Sequence, residues 1–110
     1  MENQLARNAH PSAPGHMDQY LELPGLKLRF IEAGSGDPVI LVHGYISSIE
    51  EQWLETGVFS HLAGRFHVFA YDNRGHGKSD KFHDPESYGI ELVRDLFRFM
   101  DGVGLKKAHV

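Results

Sequence analysis

The chain of 110 residues contains no cysteine, which removes both a disulfide framework and a thiolate metal site. That absence suits a reducing compartment, and the expected location is the cytoplasm. Long apolar runs are missing as well, and nothing approaches the roughly 20 apolar residues of a membrane span. The first 19 residues, MENQLARNAHPSAPGHMDQ, lack the apolar core of a secretory signal. They read as a polar tail expected to be disordered, which leaves residues 20–110 for a single domain. Positive charge is scarce: 11 lysines and arginines stand against 15 acidic residues, for a formal net charge of -4. No basic stripe exists to draw in a phosphate backbone by counterion release, so nucleic acid is excluded as a partner. The eight histidines include no H-x-x-x-H pair and have no acidic neighbour at ligand spacing, so no metal is expected, and no motif calls for a cofactor.

What is present is periodic. From Tyr20, the stretch YLELPGLKLRFIEAGSG alternates Leu26, Leu28 and Phe30 with Lys27 and Arg29 around a Pro24–Gly25 turn, the pattern of a β-hairpin. PVILV (38–42) and FHVFAYD (66–72) are continuous apolar runs of the kind found in strands buried on both faces of a parallel sheet. Between them lie Ser48 to Glu51, which fit a capping box, and the apolar set Trp53, Leu54, Val58, Phe59 and Leu62. Strand, helix and strand make a βαβ unit. After Pro85 the spacing of Ile90, Val93, Leu96, Phe97 and Met100 predicts a helix with those residues inward. Glu91, Arg94, Asp95, Arg98 and Asp101 would lie on its outer face. Gly102 and Gly104 end it, and KKAHV reads as the next parallel strand. The organisation is a hairpin followed by β-α-β-α-β.

Two loops follow strands, at the carboxyl ends where an open parallel sheet binds its ligands. In HGYISS (43–48), Gly44 permits a close backbone approach, and the amides of Tyr45 and Ile46 could face a developing negative charge. A plain connector explains the same residues. In YDNRGHGKSD (71–80), Gly77, Lys78 and Ser79 match the end of a phosphate loop. The glycine that would open that motif is Asp72, whose carboxylate repels a phosphate, and no helix follows directly. The other reading is a rigid turn braced by Asp72 and Arg74, with Gly75 and Gly77 supplying positive φ.

Taken together, PVILVHGYISS, GRFHVFAYDNRGHGKSD and YGIELVRDLFRFMDGVGLKKAHV resemble, in order and spacing, the N-terminal third of an α/β-hydrolase-fold protein of the esterase and lipase type. The resemblance covers about residues 20–110. It implies the front part of a doubly wound, mostly parallel sheet, an incomplete domain truncated before the nucleophile elbow. His43 and Gly44 match the oxyanion loop, with the Tyr45 backbone N–H as an oxyanion donor. Asp72, Arg74, Gly75, His76, Gly77 and Ser79 match the structural turn D-x-R-G-H-G-x-S. The family's G-x-S-x-G elbow, with its acid and histidine, would follow the fifth strand, and no G-x-S-x-G occurs in these residues.

The resemblance therefore implies half of an oxyanion hole, none of the Ser/Asp/His triad, and ester-type hydrolysis of a small-molecule substrate in the complete protein. HGYISS differs from the His-Gly-Gly-Pro-Gly of enzymes that cleave N-terminal proline, from the Gly-Ser-Gly-Pro-Gly of carbon–carbon hydrolases and from the His-Gly-Gly-Gly of lipases. An open edge at KKAHV implies self-association. A different class of reading is a small non-catalytic α/β binding or assembly module. A third is a phosphate- or nucleotide-binding domain, carried only by the near-match at Gly77 to Ser79.

Overall fold

A computed structural model describes residues 7–13, 16–44, 46–83 and 87–110. Within it, Pro24 and Gly25 turn the chain between β2 (His16–Leu23) and β3 (Leu26–Ala33), with Leu23 opposite Leu26 and Gly25 at φ 72°. Positive φ is what a two-residue hairpin turn demands and glycine supplies without steric penalty. β1 (Arg7–Ala13) pairs antiparallel with β2, so residues 7–13 and 16–19 run as strands where a disordered tail was expected. The ladder is made by backbone groups, and polar side chains suit an edge strand, so composition alone does not reveal such a pairing.

β4 (Pro38–Val42) and β5 (His67–Tyr71) pair in parallel, as the two apolar runs predicted. β5 also pairs antiparallel with β3, giving a five-stranded sheet of order β1-β2-β3-β5-β4. The connection from β4 to β5 holds a π-helical turn (Glu50–Leu54) and α1 (Val58–Ala63). Ser48 accepts a hydrogen bond from the Glu51 amide at 3.3 Å, the N-terminal half of the expected capping box. Beyond β4, His109 bridges in parallel to Val39, through Ile40 N–H to His109 O (2.8 Å) and His109 N–H to Pro38 O (3.0 Å). KKAHV thus begins to pair on the side of β4 away from β5.

β5 divides the interior by simple alternation. Phe69 and Tyr71 join Leu21, Leu28, Phe30 and Ile40 beneath α2 (Ile90–Val103). Val68 and Ala70 join Ile31, Ile49 and Phe59 on the opposite face. α2 exists where its spacing predicted, but it is rotated. Its buried residues are Asp95, Phe99 and Val103, while Ile90, Val93 and Phe97 are exposed. Phe99 explains the rotation: its ring stacks on Tyr71 at 4.7 Å and meets Phe30 edge-on at 5.2 Å. Gly102 lets the helix sit against β2, because a Cβ there would lie 2.5 Å from Leu21 Cδ2. Gly104 caps the helix at φ 82°, with the Leu105 amide donating to Met100 O at 2.8 Å.

If Phe99 fixes the rotation of α2, Phe99→Ala lowers unfolding free energy by about 3–5 kcal/mol. Phe97→Ala stays within about 0.5 kcal/mol, as exposed positions do. Urea denaturation of the two variants checks this, and equal losses would contradict the assignment.

Candidate active-site loops

The loop after β5 begins with Asp72, which is fully buried and needs partners for every lone pair it can offer. Oδ1 accepts from the Ile49 amide (2.9 Å), while Oδ2 accepts from the Lys78 amide and from Arg29 Nη1, both at 3.0 Å. The chain wraps the carboxylate so closely at Gly77 (φ 51°) that a Cβ there would lie 2.2 Å from Oδ2. The Lys78 amide that a phosphate would need is therefore already held by Asp72. Ser79 Oγ donates to Asp72 O (2.6 Å) and accepts from the Arg29 amide (2.8 Å), tying the turn to β3.

Arg29, which alternation placed with Lys27 on the polar side of the hairpin, is completely buried. Its Nε donates to Asp18 (2.6 Å), and its terminal nitrogens reach both oxygens of Glu50 as well as Asp72. Lys78 Nζ adds a second cation against Asp18 at 2.8 Å. Burial opposes the charge on Arg29, but its bonds to Glu50, the field of Asp72 and the bond to Asp18 outweigh it and raise the guanidinium above its ordinary value. Burial likewise pushes the Glu50 carboxyl up, and hydrogen bonds from Arg29 more than reverse this, holding it below the usual carboxylate range.

Arg74 serves the same turn from the other side. It grips buried Asp95 with two bonds of 2.7 and 3.0 Å, donates to Ser87 O at 2.8 Å and lies 5.1 Å from the centre of the Phe82 ring. Asp95, expected on the outer face of α2, thus turns inward because its partner lies in the turn. Gly75 adopts φ 79° with the Tyr88 ring where its Cβ would be, and the His76 amide donates to Asn73 O at 2.9 Å.

In the loop after β4, His43 is buried between two acceptor and donor constraints. Its Nε2 accepts from the Asn73 amide at 3.0 Å, and its Nδ1 lies 2.8 Å from Gly44 O. An amide only donates and a carbonyl only accepts, so the ring is the neutral form protonated on Nδ1. The 3.9 Å approach of Asp72 to Nε2 is accordingly no ion pair. The Asn73 side chain adds a bond to His43 O at 3.1 Å, and the Gly44 amide donates to Gln52 Oε1 at 2.7 Å. Ile46, at φ 54°, is the one non-glycine residue with positive φ among those described. Tyr45, the expected oxyanion donor, lies outside the described residues. His43 and Gly44 are brought beside the turn of Asp72 to Ser79. Asn73, Gln52, Arg29 and Glu50 join them without having been singled out in the sequence.

A parallel pair formed by a helical crossover, with both strand ends tied into one hydrogen-bonded set of loops beside an antiparallel hairpin, defines the class. The chain belongs to the alpha/beta hydrolase fold family, whose model matches residues 37–110. It is 35% identical over 101 residues to bifunctional epoxide hydrolase 2 of Sus scrofa, covering 89% of this chain and 17% of that protein. It is 32% identical over 100 residues to 2-hydroxy-6-oxo-6-(2'-aminophenyl)hexa-2,4-dienoic acid hydrolase of Metapseudomonas resinovorans, covering 91% of this chain and 34% of the relative. Among solved structures, an epoxide hydrolase of Vigna radiata superposes with a TM-score of 0.77 at 25% identity, covering 89% of this chain and 32% of that one. The chain thus spans between 17% and 34% of the length of these proteins. Among the described residues, no helix is long and apolar enough to cross a membrane, and no group of three or more acidic or histidine side chains could hold a metal ion.

Burial pushes the His43 imidazole below its ordinary pKa, and the adjacent His76 adds to this against the opposing pull of Gly44 O and Asp72. The folded chain then takes up this proton less readily than the unfolded chain does. Stability falls as pH drops below about 6.5 and levels off once the folded-state pKa has been passed. Urea midpoints at pH 7.5 and 5.5 should differ more for the wild type than for His43→Gln. Equal differences would mean that His43 does not carry this dependence.

Proposed function

We propose that this chain is the N-terminal part of an acyl hydrolase acting on small or medium ester-type substrates, with the His43 to Ser48 loop supplying an oxyanion donor. The observation that supports this reading is the double anchoring of that loop. His43 and Gly44 are held at one end by Asn73 and Gln52, and Ile49 is held at the other by Asp72. Backbone amides fixed in advance between such anchors lower a barrier most, because nothing has to reorganise when negative charge appears on the substrate oxygen. In this reading the Tyr45 amide is one donor, the amide after a nucleophilic serine is the second, and that serine stands on a strand-to-helix turn that these residues do not contain. Asp72, Arg74, Gly75, His76, Gly77 and Ser79 brace the loops and take no part in the chemistry. A cytoplasmic location belongs to the same proposal, as does self-association of the short chain at the sheet edge beyond His109.

A second reading, epoxide hydrolysis, is favoured by the epoxide hydrolases found among both the sequence relatives and the structural neighbours. The loop sequence does not separate the substrate classes. HGYISS differs from the loop expected of carbon–carbon hydrolases, yet the chain is 32% identical to a dienoic acid hydrolase.

Release of nitrophenol from short acyl esters, with opening of an aryl epoxide followed in parallel, tests both readings. The 110-residue chain should show no turnover above buffer. A version extended through the elbow and the rest of the domain should hydrolyse the ester, and its elbow Ser→Ala variant should lose at least about 10³-fold. Epoxide turnover without ester turnover would replace the first reading by the second. Inactivity of the extended protein on both would sink the hydrolase reading in favour of a binding or assembly module.

A further inference from the structure

Of the three residues that anchor the loop after β4, Asn73 is the one that holds a single residue at two points, one through its backbone and one through its side chain. Its backbone amide donates to the ring of His43 at Nε2 (3.0 Å), and its side-chain amide donates to the carbonyl of the same histidine (3.1 Å). Both bonds are buried, and they join residues 30 positions apart at the ends of two neighbouring strands. On the far side of the ring Nδ1 donates to Gly44 O, so the grip on His43 passes directly to the next residue of the loop. Two residues further on, Ile46 holds φ 54° with a β-branched side chain that is 73% exposed. An exposed side chain does not enforce its own backbone strain. Such a torsion persists only where the flanking contacts over-determine it.

We propose that Asn73 is a positioning residue of the hydrolase. It fixes His43 in the form protonated on Nδ1 and thereby holds Gly44, the residue before the proposed oxyanion donor. This rests on the oxyanion reading given above. Asn73 acts through His43 and touches no reacting atom. An amide side chain is needed at position 73 because the His43 carbonyl requires a donor. Aspartate would set a carboxylate against that carbonyl, and alanine would leave the ring bond as the only hold of residue 73 on His43.

Two measurements on the isotopically labelled 110-residue chain test this without substrate. Nitrogen-15 spectra of the imidazoles at neutral pH should show His43 protonated on Nδ1 and bare on Nε2. A proton on Nε2, or averaging between the two forms, overturns the proposal before any variant is made. In Asn73→Ala, exchange of the Gly44 amide should rise about 3- to 10-fold, the loss of one hydrogen bond. The Ile49 amide, held by Asp72, should stay unchanged, and Asn73→Ser, which keeps a donor, should recover part of the protection. A rise shared equally by Gly44 and Ile49 is what general loosening gives, and it would overturn the assignment even with the expected tautomer. Because neither readout involves turnover, failure of the ester assay and failure of this arrangement are separate results.

Discussion

The buried carboxylate of Asp72 and the equally buried guanidinium of Arg29 constrain the rest of this structure. Neither group tolerates burial alone. A desolvated charge without a partner costs several kcal/mol, more than a small domain can leave uncompensated. Asp72 is satisfied by Arg29 and by the amides of Ile49 and Lys78, and Arg29 by Asp72, Asp18 and Glu50. These contacts come from β2, β3, both loops at the strand ends and the π-helical turn. A pair of this kind adds little net stability over an apolar replacement, but it has few alternative arrangements, and it fixes which segments meet.

The function proposed for the loops follows from that geometry. The loop bearing His43 and Gly44 is bounded by Asp72 at Ile49 and by Asn73 at His43, and Asp72 and Asn73 are neighbours on one turn. The turn is in its place because Ser79 ties it to β3 and Arg74 ties it to Asp95 on α2. Residues at the carboxyl ends of two strands thus hold the backbone of the loop after β4 at both of its ends, as the proposed oxyanion role requires. Ile90, Val93 and Phe97 are exposed on α2, and the chain begins to pair along the outer side of β4 at His109.

Much of the fold was legible in the sequence, because its signals are local. The Pro24–Gly25 turn, the runs PVILV and FHVFAYD, and the stop at Gly104 each depend on residues within a few positions of one another. The rotation of α2 was not legible. Asp95 looks like a solvent-facing acid until Arg74, 21 residues away, is known to reach it, and Phe99 was passed over for Phe97. Arg29 was misplaced for the same reason, since its three acidic partners are distant in the chain. Residues 7–13 and 16–19 pair through their backbone, which side-chain polarity does not report. At the site, the spacing D-x-R picked out Asp72 and Arg74 but gave no sign of Asn73 between them, whose partner His43 lies in the loop after the neighbouring strand.

The central claim is that Asp72 and Arg29 act as one unit. A double-mutant cycle with Asp72→Asn and Arg29→Met, followed by urea unfolding, tests it most directly. Each single change takes one partner from a buried charge, so the double variant should lose less than the sum of the two, with a coupling of about 1 kcal/mol or more. Losses that add within about 0.5 kcal/mol would show that the two charges are independent and that the loops are held by something else.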